Sequence, residues 1–199
     1  MNQLIKLSSI MLLATLALAT PSCTRTDDSE TNTEKDAEKR NEEKFVRADE
    51  VDARYVVDAY ADGMLEIQLA ERVKDRLTTQ EAKNTATMMI TAHTAMNNDM
   101  RALAEKHQIS LPTQLTNMQQ DDIDDVAEET GIDLDAAYTD KTVKMHKDAI
   151  DMCEKATNKV NDPEIKNAFA TALPMLRTHL DMATTARDQT KEMKDNKKK

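Results

Sequence analysis

Two stretches of the sequence share the pattern Met-x3-His-x2-Met. The histidines are His93 and His179, and the methionines are Met89, Met96, Met175 and Met182. On an α-helix the residues at i−4, i and i+3 lie on one face, so each imidazole would lie between two thioethers. Imidazole is a common ligand of transition metals, and thioether sulfur binds soft ions such as copper. The pattern indicates a metal site, although methionines at helical spacing more commonly fill an apolar core.

Four long segments have the three-four apolar periodicity of amphipathic helices. The predicted helices cover residues 50–77, 78–107, 134–160 and 163–190. Thr78-x-x-Glu81 has the spacing of a capping box at the start of the second helix. Asp162-Pro163 is a start signal for the fourth, with Asp as the N-cap and Pro in the first turn.

One ionisable residue interrupts the apolar face of each predicted helix near its middle. These residues are Glu66, His93, His146 and His179. Measured from the turns between the helices, their heights agree to within roughly 9 Å at about 1.5 Å per residue. A helical bundle would therefore bring them together in one layer of its core, where facing helices build metal sites. Gly63, one turn before Glu66, costs about 1 kcal/mol relative to Ala in a helix and predicts a close neighbour there.

Three imidazoles and a carboxylate suit Zn, Fe, Mn or Cu, so this layer predicts one bound transition-metal ion. A second interpretation stays open, in which the layer is hydrogen-bonded, with water, and only sets helix packing. In both interpretations we expect the four side chains to contact one another, because a buried unpaired carboxylate costs several kcal/mol, whereas a lone His on an apolar face is usually a separately satisfied core residue. The two histidine patterns then form opposite walls of one site, and the four methionines line the core around it.

The sequence lacks the residues that enzymes of this architecture use. A di-iron carboxylate site needs Glu-x-x-His on two helices, whereas Ile90, Val143 and Leu176 stand at that spacing before the histidines. Cys153 lies a heptad from His146, roughly 10 Å along the helix, and is interpreted as a small core residue. The sequence has no Gly-rich phosphate loop, Ser nucleophile motif or Cys-x-x-Cys pair. We expect metal binding without redox turnover and no enzymatic activity.

The composition of the chain predicts an all-α fold. Its 199 residues include two Gly, four Pro and 3% aromatic residues, which favours long helices packed on each other. Two helical hairpins would be joined by a long connection between helices 2 and 3, with a short acidic helix at 118–129 that Gly131 ends. The net charge of −10 argues against nucleic acid as a partner, because neutralising phosphates requires a basic surface.

The first 22 residues have the features of an export signal. Their apolar run is shorter than the roughly 20 residues that a membrane span needs. The small residue before Cys23 is typical of a bacterial lipoprotein, in which that Cys is lipid-modified and becomes the first residue of the mature chain. Three positions before Cys23 the chain has Thr20, where bacterial lipoproteins usually have Leu. Ordinary cleavage to a secreted form therefore stays open as the alternative.

The folded domain is expected over residues 45–190. Residues 23–44 are nearly devoid of apolar side chains and predict a disordered tether, and the Lys-rich residues 191–199 predict a frayed tail. Together with lipid attachment at Cys23, this organisation predicts a protein of the bacterial cell envelope, anchored to a membrane and facing the periplasm or the cell surface.

Several motifs in these helices resemble those of a known family. They are Gly63-Met64-Leu65-Glu66-Ile67, Met89-x3-His93 before Asn97, the segment from Tyr138 to His146, and Leu173-Pro174-x-Leu176-x-x-His179. The chain is similar in these motifs to DUF4142, a bacterial domain of unknown function that is often exported. The resemblance covers about residues 45–186 and implies a ferritin-like four-helix bundle. It implies no substrate.

Overall fold

A computed structural model describes residues 33–197, and within that range the protein consists of helices and contains no strand. The six helices are α1 (Glu34–Glu42), α2 (Arg47–Val73), α3 (Gln80–Lys106), α4 (Asn117–Glu128), α5 (Gly131–Lys159) and α6 (Pro163–Lys197). The predicted all-α fold is confirmed. None of the helices in the described part of the chain has both the length and the apolarity of a membrane span. The predicted export signal and Cys23 lie outside the described residues.

The four long helices pack as two hairpins in a helical bundle. Helix α2 packs against α3 and α5 packs against α6, while α2 also contacts α5 and α3 contacts α6. These four helices begin and end within a few residues of the predicted ones, except that α6 is longer. The short helix α4 was also predicted, and it lies against α2 and α5. Apolar periodicity was sufficient for these elements because each buries one stripe of side chains.

The core of the bundle consists of two apolar clusters. The α4-side cluster includes Leu69, Val73, Met89, Ile123 and Leu134. The α1-side cluster includes Ala37, Val56, Cys153, Phe169 and Leu176. Along α3 and α5, His93 and His146 separate the residues of one cluster from those of the other, and on α2 Glu66 lies beside this boundary, directly after Leu65 of the α4-side cluster. The bundle therefore has a polar layer between two apolar halves.

A buried aspartate of the second hairpin binds the turn of the first hairpin. Asp135, near the start of α5, is fully buried. Its carboxylate accepts hydrogen bonds from the backbone N–H of Thr78 at 2.9 Å and of Thr79 at 2.6 Å, and from the Thr78 hydroxyl at 2.9 Å. Thr79 is the N-cap of α3 and accepts from the N–H of Ala82 at 3.3 Å. The predicted capping box at Thr78 is therefore wrong, and the N-cap is the next residue. The backbone N–H and the hydroxyl of Thr78 donate to Asp135 instead.

The first hairpin binds the turn of the second in the same way. Asp52, near the start of α2, is 3% exposed and accepts from the backbone N–H of Asn161 at 2.9 Å and of Asp162 at 2.8 Å. Asp162 in turn accepts from the N–H of Glu164 at 2.8 Å and of Ile165 at 3.0 Å, which confirms its predicted role as the N-cap of α6. Since each aspartate reaches the far end of the other helix, α2 and α5 run antiparallel.

The structure corrects the predicted tether in its last part. Residues 34–42 form α1, which packs on α2 and buries Ala37 and Asn41. The Asn41 side-chain amide donates to the Ser110 carbonyl at 3.0 Å and accepts from the Ser110 N–H at 2.8 Å. The composition of this segment is polar because docking one short helix requires only two buried residues and one amide pair.

Two further predictions at helix ends are wrong. Helix α6 continues to Lys197 instead of fraying after residue 190, and Lys194 pairs with Asp133 at 2.6 Å. Gly131 does not end α4, whose C-cap is Glu129. Instead, Gly131 begins α5 with a φ of 58°, a left-handed conformation that favours Gly.

Carboxylates accumulate where α1 meets α2. One oxygen each of Glu34, Glu38 and Asp58 lies within 4.8 Å of those of the other two. Burial, together with repulsion from Glu34 and Glu38, raises the pKa of Asp58 to about 7, and Arg54 offsets only part of this shift. Repulsion between these carboxylates therefore opposes the docking of α1 onto α2.

Replacing Asp135 with Ala should destabilise the bundle by about 2–4 kcal/mol, because it leaves buried N–H groups without an acceptor. The free energy of unfolding from urea titration followed by circular dichroism measures this effect. Asp121→Ala, a change of an exposed aspartate on α4, is the matched control. A loss below about 0.5 kcal/mol for Asp135→Ala, the range of ordinary surface substitutions, would contradict the role of this turn contact.

Replacing Asp58 with Asn should raise the melting temperature by an amount that grows with pH. The folded-state pKa of about 7 lies above the ordinary value of 3.8, so the folded chain keeps a proton that the unfolded chain loses in this window. Stability of the wild type therefore falls as pH rises from about 4 to about 7, and Asn removes that penalty. Melting curves at pH 4, 6 and 8 measure the gain, with the exposed Asp151→Asn as control. An equal gain at all three pH values would contradict the assignment.

Candidate metal centre

Each long helix contributes one ionisable side chain to the layer between the two apolar clusters. Glu66 comes from α2, His93 from α3, His146 from α5 and His179 from α6. Their exposed fractions are 4%, 4%, 0% and 5%. The centroids of the three imidazole rings are 5.3, 5.5 and 5.6 Å apart. The prediction that these four side chains lie together at one level of the bundle is confirmed.

The donor atoms of this layer have the spacing of metal ligands. Nε2 of His93 lies 3.4 Å from Nε2 of His146 and 2.9 Å from Oε2 of Glu66. Oε2 of Glu66 also lies 3.6 Å from Nδ1 of His146, which is a contact between the two side chains and not a distance between ligand atoms. His93, His146 and His179 each have one ring nitrogen that lies within 4.8 Å of a ring nitrogen of both other histidines. Ligands that are about 2.0–2.1 Å from a tetrahedral ion lie roughly 3.3–3.4 Å from each other, which is the spacing of the His93 and His146 nitrogens.

A backbone carbonyl sets the tautomer of His146. The carbonyl of Thr142, one turn earlier on α5, lies 3.1 Å from Nδ1 of His146. Because a carbonyl only accepts, Nδ1 carries the proton and Nε2 of the neutral ring keeps its lone pair. This lone pair is on the nitrogen beside His93. Metal-binding histidines commonly have such a partner on the second ring nitrogen, which fixes the orientation of the ring.

Two buried polar atoms of the layer have no hydrogen-bond partner among the described residues, namely Oε2 of Glu66 and Nδ1 of His179. Nε2 of His93 lies at ion-pair distance from this oxygen, at 2.9 Å. Leaving one buried polar group unpaired costs about 1–3 kcal/mol, and such groups are rare. Both atoms belong to ligand groups, so the residues present fit a cation bound between them.

Burial and mutual contact control the protonation of the site. Burial raises the pKa of Glu66, but the three imidazoles, His93 first among them, outweigh it and hold this pKa below its ordinary value. Burial, together with repulsion from the other two rings, lowers the pKa of His179 to about 4. Burial also lowers the pKa of His146. At neutral pH the site therefore contains an ionised carboxylate and uncharged His146 and His179 rings, the forms that bind metal ions.

The sequence model of DUF4142, described as a domain of unknown function, matches residues 35–186. The chain belongs to this family. The family resemblance seen in the motifs is confirmed, and the matched segment includes all four residues of the layer. Comparisons with curated proteins and with solved structures found no match. The DUF4142 match begins inside α1, so this helix is part of the family domain instead of a tether outside it.

Within the DUF4142 domain, Asn97 is the close neighbour that Gly63 predicted. Asn97 is buried one turn after His93 on α3, and its amide donates to the Tyr60 carbonyl at 3.2 Å. A Cβ atom at Gly63 would overlap the amide group of Asn97. The glycine therefore lets α3 approach α2 beside Glu66 and His93. Asn97 was not predicted as a site residue, although its position one turn from His93 on the same face was a usable signal.

The methionines of the two histidine patterns differ in their surroundings. Met89 is buried in the α4-side cluster, whereas Met175 and Met182 are 41% and 43% exposed. The prediction that all four line the core is therefore wrong for these two. Their side of α6 faces solvent, although His179 on the same helix is buried. At about 3.6 residues per turn, Met175 and Met182 both lie to the same side of His179 around the helix, within roughly 60° of it, and on α6 that side is the solvent-facing edge of the buried stripe.

Cys153 and His107, two other residues whose side chains can bind metals, lie outside the layer. Burial raises the pKa of the Cys153 thiol to about 12, so it is uncharged in the core, as expected for a residue that is no nucleophile. His107 is at the C-terminal end of α3, where it lies 3.2 Å from Glu164 and 3.8 Å from Asp162 near the surface. His107 therefore provides a histidine of the same chain that is separate from the buried site.

Gly63→Ala should destabilise the protein by about 1–3 kcal/mol, because the new methyl group collides with Asn97. In an Asn97→Ala background the same change should become stabilising, by about 1 kcal/mol, since Ala is the better helix former. Unfolding free energies of the two single variants and the double variant give the coupling. Additive effects of the two substitutions would show that the close approach does not depend on this pair.

Proposed function

We propose that this protein binds one transition-metal ion in the core of a ferritin-like four-helix bundle. The ligands are Glu66, His93, His146 and His179, one from each long helix. The observation that carries the proposal is the unpaired state of Glu66 Oε2 and His179 Nδ1 inside a fully buried layer of donor atoms at ligand spacing. A bound cation supplies the missing partner for both atoms.

The donor set supports a transition-metal ion. Three imidazoles and one carboxylate suit Zn, Fe, Mn or Cu, and the single negative charge of Glu66 partly compensates the charge of the ion. Four protein ligands fill a tetrahedral ion, whereas catalytic sites keep a position open for water or substrate. The site therefore supports buffering, sensing or carrying of the ion, without redox turnover and without enzymatic activity.

The address that we propose is the bacterial cell envelope. Cys23 follows an export-type segment and would carry the lipid that anchors the domain to a membrane. The charge of −10 disfavours nucleic acid as a partner.

A second function is favoured by the position of the layer between the two apolar clusters. In this alternative the Glu66–His93 contact of 2.9 Å only fixes the register of the helices, in a structural or interaction module of the envelope. The two functions differ in their response to metal. Only a metal-binding protein gains stability from the ion, by about 2.7 kcal/mol when the free ion is at 100 times its dissociation constant.

Metal content and melting temperature test the proposal together. The wild type should contain about one ion per chain when loaded with Zn and lose melting temperature when a chelator is added. His93→Ala combined with His179→Ala should remove both the ion and the chelator effect, because it deletes two of four ligands. His107→Ala, which changes the histidine outside the layer, should retain both. Inductively coupled plasma mass spectrometry and thermal unfolding provide the two measurements.

Equal metal content in the wild type and the double variant would contradict the proposed metal binding. If neither Zn nor chelator changes the melting temperature of the wild type, and Glu66→Gln destabilises the protein, the structural alternative is supported instead.

A further inference from the structure

A small internal cavity adjoins the metal centre on the side of the α1-side cluster. Its volume is about 50 Å³, and Glu66 and His93 form part of its wall. A water molecule occupies about 30 Å³ in the liquid, so the cavity has room for one or two waters or for a dehydrated ion. Oε2 of Glu66 has no hydrogen-bond partner among the described residues. The cavity wall therefore includes a side chain of the layer that has an unpaired oxygen.

Four sulfur-containing side chains line this cavity. Met96 and Met100 from α3, and Met152 and Cys153 from α5, all line it. These are the two helices that also provide His93 and His146. Methionine usually fills irregular gaps in a core, but here three methionines surround a gap that stays open. Thioether and thiol sulfur are the ligands that Cu(I) prefers over the harder divalent ions.

The same methionines reach the protein surface. An open groove between α3 and α6, with a volume of about 490 Å³, shares Met96 and Met100 with the cavity. Met175, which is 41% exposed, lines the outer part of this groove. Thioethers therefore follow one another from solvent, through the wall of the groove, to the cavity beside His93. Filling a core does not explain a thioether at the exposed end of this series.

The cavity wall combines uncharged sulfur with carboxylates. The thioethers of Met96, Met100 and Met152 carry no charge. The carboxylates of Glu66 and Asp62 also line the cavity, so its wall has negative charge that can compensate a bound cation. The preference for Cu(I) therefore rests on the soft thioether donors.

We propose that the cavity is a soft-donor site for Cu(I), with Met96, Met100 and Met152 as its thioether ligands. The ion reaches the site through the groove between α3 and α6 and lies next to Glu66 and His93. The cavity lies beside the metal centre and gives the ion access to it. That the metal centre itself binds copper follows only if the proposed function is correct. No electron transfer is involved, since Cu(I) enters and stays in one oxidation state.

Ag(I), a redox-inert analogue of Cu(I), tests the site directly. All proteins carry Cys23→Ser, which leaves Cys153 as the single thiol of the chain. The cavity variant combines Met96→Leu, Met100→Leu and Met152→Leu, because Leu keeps the volume and removes the sulfur. The control variant changes the exposed residues Met118, Met182 and Met193 to Leu. Competition titration should give an Ag(I) affinity at least about tenfold lower in the cavity variant and unchanged in the control.

A Co(II) titration of the same proteins separates this site from the histidine layer. Co(II) binds imidazole and carboxylate, and its visible spectrum should be the same in the wild type and the cavity variant. Loss of Ag(I) affinity in the cavity variant supports the soft-donor site, whether or not Co(II) binds. Equal Ag(I) affinity in all three proteins overturns it, and leaves a Co(II)-binding histidine layer standing on its own.

A measurement on the unsubstituted methionines covers the case in which the cavity variant does not fold. In protein labelled with ¹³C at the methionine methyl groups, Ag(I) should shift the resonances of Met96, Met100 and Met152. Those of Met118 and Met193 should stay in place, since both side chains are exposed and far from the cavity wall. Shifts confined to the exposed methionines would overturn the proposal.

Discussion

The Glu66 carboxylate is 4% exposed, and its burial against three imidazoles is the contact around which the bundle must be arranged. Removing an ionised group from water costs several kcal/mol, and only close partners offset this. The partners come from three other helices, so all four helices must keep one relative height. A shift of one helix by a single turn, about 5.4 Å, would remove its imidazole from the carboxylate. The polar layer therefore specifies the register that apolar contacts alone would leave adjustable.

The apolar clusters and the turns act in support of this layer. Two clusters on either side provide most of the buried apolar surface, while Asp135 and Asp52 hold the hairpin turns at opposite ends of the bundle. Register is thus specified at three levels along the bundle. At the middle level, Gly63 allows the closest approach, where Asn97 occupies the space of a side chain.

The elements and the four site residues could be predicted because their signals are local. Apolar periodicity defines a helix within a few turns, and a charged residue on an apolar face stands out against its neighbours. Helix α1 could not be predicted in this way, because its docking depends on the pair between Asn41 and the distant Ser110. The aspartates at the turns were missed although Asp52 and Asp135 also lie on inward faces. The rule that identified Glu66 would have identified them.

The metal role of the layer is a prediction of a different kind from its geometry. Spacing along four helices is sufficient to bring Glu66 and the histidines together, because helix rise is nearly constant. Which ligand the layer binds depends on tautomers and on unpaired lone pairs. The carbonyl of Thr142 decides the tautomer of His146, and this contact has no signature in the sequence.

The exchange of aspartates between the hairpins also has a consequence for folding. The hydrogen bonds of Asp135 to the first turn span 57 residues of chain, and those of Asp52 to the second span 109. Each hairpin therefore lacks the acceptor for its own turn until the other docks. Helical proteins usually fold through local contacts, which makes them fast. Here the two halves of the chain complete each other, so closing of the turns belongs to the late, cooperative step of folding and not to the formation of either hairpin.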